Sequence, residues 1–152
     1  MIAYFDTSAL VPLLVNEPTT TACGRLWTDA ERIVSVPILY TETRAALARA
    51  ERSSRISNTE LARAIGQLDL LFEDIDLVTV DIDLARLGGD LAQRHHLRGY
   101  DALHLAGGVR VGLADVATRV PTSFDEFVFA TGDRNLADAA SAAGLAVARL
   151  QA

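Results

Sequence analysis

The chain is predicted to fold as an α/β protein of three layers, with a mostly parallel central sheet of four to five strands between helices. Short apolar runs alternate along the sequence with longer segments of helical periodicity, the order expected of a parallel sheet covered on both faces. The chain has 152 residues, of which 50% are hydrophobic, and it contains no internal repeat, low-complexity tract or linker. We therefore expect a single domain that covers residues 1–152.

The predicted strands are short runs rich in β-branched and aromatic residues. The first, Ile-Ala-Tyr-Phe, is apolar throughout, which is typical of a strand buried on both faces. The predicted strands cover residues 2–5, 32–36, 77–80 and 127–130, and a last edge strand covers 145–149.

Capping residues and glycine mark the ends of the predicted helices. Ser8 is predicted to cap a first short helix, in which Pro12 falls where a first turn tolerates proline. Ser57 and Glu60 form a capping box, and Gly144 is a typical helix stop. The other predicted helices cover residues 18–27, 37–52, 57–72, 82–95, 101–111 and 136–143, and residues 112–124 are predicted to be a long loop or an irregular helix extension.

Charge and composition exclude several classes of protein. The net charge of −6 argues against a protein that holds nucleic acid by a basic surface, although a nuclease can contact phosphate through a bound cation. The single cysteine, Cys23, cannot form an internal disulfide or a zinc site of the usual spacing. No basic leader and no apolar run near the ~20 residues of a membrane span is present, so we expect a soluble cytoplasmic protein.

Two carboxylates follow predicted strands directly. Asp6 ends the first strand after two aromatic residues, and Asp133 follows the strand at 127–130. Ligands of open α/β sheets bind at the carboxyl ends of the strands. An aspartate before a helix is also a common N-cap, so helix capping is the alternative role for both residues.

Two further acids lie on predicted helix faces. Glu42 shares its face with Ile38, Leu39 and two alanines, where an ionisable side chain is costly unless it is paired or bound to metal. The alternative is a buried ion pair with a distant arginine. Asp101 lies in the first turn of its helix and faces the same way as Leu105, and its alternative role is a favourable interaction with the helix dipole.

Together, these four acids indicate a cation site if the fold brings them together. Two carboxylates ~5 Å apart repel by about 3 kcal/mol at an effective dielectric of 20, so a cluster needs raised pKa values or a bound cation. Oxygen ligands without histidine favour Mg²⁺ or Mn²⁺, which bind phosphate oxygens and activate water. The implied reaction is hydrolysis of a phosphodiester. His104 is predicted to be a packed helix residue rather than a catalytic base.

Four stretches resemble the motifs of PIN domains, especially those of bacterial and archaeal VapC-like toxins, and they occur in the family's order. They are Tyr-Phe-Asp-Thr-Ser-Ala-Leu at 4–10, Thr-Glu-Thr-Arg-Ala-Ala-Leu at 41–47, Tyr-Asp-Ala-Leu-His-Leu-Ala at 100–106 and Phe-Ala-Thr-Gly-Asp-Arg-Asn-Leu at 129–136. The resemblance implies an α/β/α PIN fold and a Mg²⁺- or Mn²⁺-dependent endoribonuclease that is the toxin of a toxin–antitoxin pair. It also implies a cognate antitoxin that wraps the toxin and blocks its site, and a homodimer.

The resemblance also assigns roles to residues. Asp6, Glu42 and Asp101 would be metal ligands, and Asp133 would be the fourth acid, bound directly or through water. Ser8 and Thr131 would support the cluster by hydrogen bonds. Arg134 is a candidate for contact with RNA phosphates, and so are four arginines on or just after the helix of the second motif, Arg44, Arg49, Arg52 and Arg55. For these four, an exposed helix face or an antitoxin contact is an equally good interpretation.

The sequence departs from the family pattern in one region. Residues 112–124 look like an insertion before the fourth motif, and Asp125 or Glu126 beside it could replace Asp133. Asp133 is favoured because it follows the apolar strand. Two adjacent glycines, Gly107 and Gly108, interrupt the helix of the third motif at a cost of ~1 kcal/mol each relative to alanine, and the sequence offers no reason for them.

Two other functions compete with the nuclease. Asp6 could be the phosphorylated residue of a phosphohydrolase of the haloacid dehalogenase type, but that family needs a second aspartate where Ser8 stands. The chain could also be a catalytically silent PIN-fold module that only binds RNA or a protein, although all four acids are present.

Overall fold

The computed structural model of the protein describes residues 1–114 and 126–150. Within these residues, five parallel strands form one sheet in the order β3-β2-β1-β4-β5. The strands are β1 Ile2–Phe5, β2 Arg32–Ser35, β3 Ile75–Leu77, β4 Phe127–Thr131 and β5 Val147–Arg149. The predicted fold class is confirmed.

Helices cover both faces of this sheet. One apolar core contains Ala3, Phe5 and Ile33 of the sheet, and the other contains Tyr4 and Phe129, as expected from the alternation of side chains along strands. The first core is closed by α1 Thr7–Leu10, α2 Thr20–Asp29, α3 Ile38–Arg52 and α4 Asn58–Glu73, and the second by α5 Ile82–His95, α6 Gly99–Ala114 and α7 Arg134–Ala142.

Several local predictions agree with the structure. Ser57 caps α4, and the reciprocal bond from the Ser57 N–H to Glu60 completes the capping box. Pro12 lies inside the short 3₁₀ turn Val11–Leu13 that follows α1. Gly144 adopts a φ of 90° after α7, the left-handed conformation that glycine adopts at little cost.

Other boundaries were wrong. Strand β3 covers Ile75–Leu77 rather than 77–80, because Ile75 is the buried residue that pairs with Ile33, whereas Leu77 and Val80 are exposed at the sheet edge. Ser8 does not cap α1; Asp6 does, by accepting from the Ala9 N–H. β2 ends at residue 35, β5 begins at 147, α2 covers 20–29 and α7 begins at 134. α6 begins at 99 and includes residues 112–114 of the expected insertion, and the remainder of that insertion lies outside the described residues.

The two unexplained glycines bring α6 close to the sheet. A Cβ on Gly107 would lie 2.7 Å from the Tyr4 hydroxyl and 2.9 Å from Val36, and a Cβ on Gly108 would lie 2.5 Å from the Phe129 ring. Carbon atoms in contact are normally about 3.5–4.0 Å apart, so a side chain at either position would push the helix away from the strands. The glycines therefore set the depth of the helix that carries Asp101.

Among the described residues, no helix is both long enough and apolar enough to cross a membrane.

Candidate active site

The candidate site is an open cavity of about 590 Å³ at the carboxyl end of the sheet. All four acids predicted from the sequence contribute to its wall, together with Ser8. The other lining residues are Thr7, Val11, Val15, Glu17, Ala46, Leu47, Arg49, Ala50, Ser53, Arg55 and His104. The fold thus brings together carboxylates from four separate segments of the chain.

Asp6 is almost completely enclosed, with 4% of its surface exposed. The Ser8 hydroxyl donates to its Oδ1 at 2.7 Å, and the Thr131 hydroxyl donates to its Oδ2 at 2.6 Å. The Ala9 N–H donates to Oδ1 at 3.0 Å, so the capping role exists alongside the position in the cavity. Burial raises the pKa of Asp6, and the electrostatic effect of His104 and these hydrogen bonds oppose the rise.

The same two hydroxyls join Asp6 to the segment after β4. Ser8 Oγ accepts from the Gly132 N–H at 2.7 Å, and Thr131 Oγ1 accepts from the Asp133 N–H at 3.0 Å. Because each hydroxyl accepts from this backbone, its own proton is directed to Asp6. Ser8 and Thr131 therefore make the hydrogen bonds that a supporting role requires.

Asp133 also combines the two roles considered for it. Its Oδ1 caps α7 by accepting from the Leu136 N–H at 2.9 Å, and its side chain lines the cavity. Glu126 lies elsewhere: its carbonyl accepts from the Ile2 N–H at the amino end of β1, and Asp133 lies at the opposite end of the parallel strands. The suggestion that Glu126 replaces Asp133 was therefore wrong on position, and Asp125 lies outside the described residues.

Glu42 pairs with a histidine, not with the distant arginine considered as its alternative partner. His104 Nε2 lies 2.6 Å from Glu42 Oε2, and the Thr7 hydroxyl donates to the same oxygen at 2.8 Å. Burial acts to raise the pKa of Glu42, but the hydrogen bond and electrostatic effect of His104, together with the Thr7 bond, leave it below its usual value.

Asp101 is half-buried in the first turn of α6. Burial raises the pKa of its carboxyl, and the negative charges of Asp133 and Glu42 raise it further. His104 and Arg98 oppose this rise. The charges of two other acids that line the cavity therefore act on the Asp101 carboxyl and disfavour its ionised form.

His104 is a cavity residue that was not among the site residues predicted from the sequence. It was predicted to be only a packed helix residue, and it is indeed buried, with 2% exposed. It also reaches the cavity and contacts Glu42. The available signal was its spacing, because His104 is three residues after Asp101 and so lies on the same face of α6.

Three of the arginines considered for contact with RNA, Arg44, Arg52 and Arg134, lie outside the cavity wall. Arg44 donates to the Tyr40 hydroxyl at 3.1 Å and lies over that ring, and Arg134 is exposed as the first residue of α7. The other two, Arg49 and Arg55, line the cavity, and Arg55 is paired there with Glu17 at 2.8 Å. Nothing in these positions tests whether Arg44 or Arg134 binds RNA, so that role stays a prediction.

The donors of the cavity fit a hard divalent cation by chemistry and charge. Four carboxylates line the cavity, and burial, followed by the negative charges of Asp133 and Glu42, raises the pKa of Asp101. Oxygen ligands of this type suit Mg²⁺ or Mn²⁺. However, no three His, Cys, Asp or Glu side chains in residues 1–114 and 126–150 are gathered closely enough to hold a metal ion. Instead, protein donors hold the carboxylates of Asp6, Glu42 and Asp133 individually.

Comparison with known proteins identifies relatives of the whole chain. A family model described as PIN domain matches residues 3–142. The chain is 35% identical over 150 residues to Ribonuclease VapC45 of Mycobacterium tuberculosis (strain CDC 1551 / Oshkosh). The match covers 99% of this chain and 96% of that protein. Ribonuclease VapC49 of Mycobacterium tuberculosis (strain ATCC 25618 / H37Rv) matches with the same identity and the same coverage.

Proposed function

This chain belongs to the PIN domain family, and from this membership we propose that it is a divalent-metal-dependent endoribonuclease that hydrolyses RNA phosphodiester bonds. The observation that carries the proposal is the single cavity lined by Asp6, Glu42, Asp101 and Asp133. The relatives, which are named ribonucleases and match along nearly their whole length, support RNA as the substrate.

We assign the metal to these four acids, with Asp6, Glu42 and Asp101 as ligands and Asp133 as a ligand or the acceptor of a bound water. A bound Mg²⁺ or Mn²⁺ would supply Lewis-acid polarisation of a phosphate oxygen and a water of lowered pKa. RNA carries negative charge, and a wall of carboxylates alone would repel it. The need to admit a phosphodiester is therefore a second argument for a cation between the acids and the substrate.

The chain's own residues orient and charge the site. Ser8 and Thr131 donate to the two oxygens of Asp6 and hold its carboxylate in one orientation. Arg49 lines the same cavity and gives it a positive group that suits RNA phosphates, whereas the guanidinium of Arg55 is paired with the Glu17 carboxylate at 2.8 Å.

We further propose that the protein is the toxin of a toxin–antitoxin pair, since the relatives carry VapC names. Its partners would be a cognate antitoxin that blocks the cavity and a second copy of the chain in a homodimer. Co-purification with the product of the adjacent reading frame, and the mass of the complex in solution, test these partners. Recovery of an unaccompanied monomer would contradict both.

The enzymatic proposal is tested with Asp6→Ala and Asp101→Ala. Each should lower the rate of Mg²⁺- or Mn²⁺-dependent RNA cleavage by at least about 100-fold, because loss of a residue that only supports a metal ligand already lowers metal affinity or activity 10–100-fold. Asp90→Ala is the matched control, because Asp90 is an exposed acid on α5 away from the cavity, and it should cleave like the wild type. Retained cleavage in both active-site variants would refute the site, and a wild-type protein that binds RNA without cleaving it would favour the silent binding module.

A further inference from the structure

We propose that His104 is a positioning residue that, together with Thr7 and Tyr4, fixes the Glu42 carboxylate in the orientation needed to bind a metal. This inference rests on the proposed metal-dependent function and adds a requirement that the four acids alone do not contain. We call the group of Tyr4, Thr7, Glu42 and His104 the Glu42 clamp.

The clamp restricts the conformational freedom of the Glu42 side chain. A glutamate has three rotatable bonds, and ordering such a side chain costs up to about 2 kcal/mol of conformational entropy. Glu42 extends from α3, while Thr7 lies at the start of α1 and His104 lies on α6. Both partners hydrogen-bond the same oxygen, Oε2, at 2.8 and 2.6 Å. These two bonds leave Oε1 as the oxygen that can bind a cation.

The imidazole is itself held from the core. Its Nδ1 lies 3.2 Å from the Tyr4 hydroxyl, and Tyr4 is completely buried and stacked on Phe129 with 4.9 Å between ring centroids. A carboxylate can only accept hydrogen bonds, so Nε2 carries the proton toward Glu42, and in neutral histidine Nδ1 accepts from Tyr4. The line Phe129, Tyr4, His104, Glu42 thus links the packed centre of the sheet to the cavity.

This arrangement is the one that metal sites use to orient their ligands. Residues that hold a ligand in place without touching the metal typically contribute 10–100-fold to metal affinity or activity. Any buried histidine needs partners for its ring nitrogens, so the effect of His104 on metal affinity, and not the 2.6 Å contact alone, separates a positioning role from packing. The geometry therefore makes a specific claim about metal affinity, separate from stability.

The first experiment needs no metal. Long-range ¹H–¹⁵N NMR of the metal-free wild-type protein should show His104 with a proton on Nε2. In Glu42→Ala the Nε2 signals should move, whereas those of His95, a histidine at the end of α5 that lines a different cavity, should not. A His104 that carries its proton on Nδ1 alone, or that does not respond to Glu42→Ala, overturns the clamp.

The second experiment measures Mn²⁺ affinity by calorimetry for two similar variants. In His104→Gln the side-chain amide nitrogen lies where Nε2 was and can still donate to Glu42, whereas in His104→Asn it lies near Nδ1 and cannot. We expect His104→Asn to bind Mn²⁺ about 10–100-fold more weakly than the wild type, and His104→Gln to recover most of that loss. Equal affinities for the two variants overturn the proposal.

Thr7→Val extends the test to the other partner, because Thr7 is partly exposed and valine keeps its shape. Thr7→Val should weaken Mn²⁺ binding by about tenfold, the lower end of the range for a residue that supports a metal ligand. This variant also keeps the proposal testable if the His104 variants do not fold. Wild-type affinity in Thr7→Val contradicts the clamp. If the wild-type protein binds no Mn²⁺, the proposed metal-dependent function fails, and the NMR result still reports separately whether His104 is bonded to Glu42.

Discussion

The close approach of α6 to the sheet gives a prediction whose sign can be worked out from the structure. Replacing a glycine by alanine inside a helix normally stabilises a protein by about 0.5–1 kcal/mol, because glycine loses more conformational freedom on folding. At Gly108 the added Cβ would stand 2.5 and 2.7 Å from two carbons of the Phe129 ring. The ring would have to move by ~1 Å to restore ordinary contact.

Phe129 cannot move that far cheaply, because it is fully buried and stacked on Tyr4. Overpacking of this kind costs about 1–3 kcal/mol, which exceeds the helix-propensity gain. We therefore expect Gly108→Ala to lower the free energy of unfolding by up to about 2 kcal/mol. For a chain of this length, each kcal/mol corresponds to about 2–4 °C in Tm.

The matched control is Gly89→Ala in α5. Gly89 is exposed, and an added Cβ there would meet nothing within 4 Å, so this variant should be stabilised by up to about 1 kcal/mol. Urea unfolding followed by far-ultraviolet circular dichroism would give both values. The difference between the two variants isolates the packing cost, because the helix-propensity change is common to both. A Gly108→Ala protein as stable as Gly89→Ala would refute the claim that the glycines set the depth of α6.

Two further predictions concern charge. Near neutral pH, Asp101→Asn should leave the metal-free protein as stable as the wild type, or more stable by up to about 1 kcal/mol. The reason is that burial and the carboxylates of Asp133 and Glu42 raise the pKa of Asp101. Solvent reduces this effect, because the position is only half-buried. A raised pKa means that the folded state holds the proton more tightly, so stability falls as pH rises above the unfolded pKa of ~3.9, and the advantage of the variant should vanish at acidic pH. If urea unfolding instead shows the variant to be less stable near neutral pH, with the loss disappearing at acidic pH, Asp101 belongs to a structural ion pair. Arg134→Ala should reduce kcat/KM for RNA less than any acid variant, because Arg134 is exposed outside the cavity wall. A loss equal to that of Asp133→Ala would add this arginine to the catalytic set.

The sequence predicted those parts of the site that depend on local pattern. Asp6 and Asp133 were found because each follows an apolar strand, and parallel strands bring their carboxyl ends to the same edge. Glu42 was found because a charge on an apolar helix face needs a partner. These signals depend only on strand order and helical periodicity, and the same signals gave the α/β/α layers.

The partners of these acids could not be predicted in the same way. The contact of His104 with Tyr4 and Glu42 joins residues 100 and 62 positions apart in the chain, so it depends on how α6 lies across the sheet. The reason for Gly107 and Gly108 was hidden for the same cause, because the aromatic side chains that they accommodate belong to other elements. Strand β3 was misplaced because its apolar neighbours are exposed at an edge, where hydrophobicity does not report burial.

The pairing of β1 with β4 determines which parts of the cavity can change in related chains. Phe5 and Ala130 are aligned in the ladder, so Asp6 and Thr131 leave two neighbouring strands at the same level. Adjacent strands are held about 4.8 Å apart by backbone hydrogen bonds, and no helix movement alters that spacing. Glu42 and Asp101, in contrast, belong to helices α3 and α6, whose positions relative to the sheet can shift slightly when the side chains packed between helix and sheet are replaced. Deleting a single residue from either strand would turn its later side chains to the opposite face and break the alignment at once, so length changes are tolerable only outside these two strands.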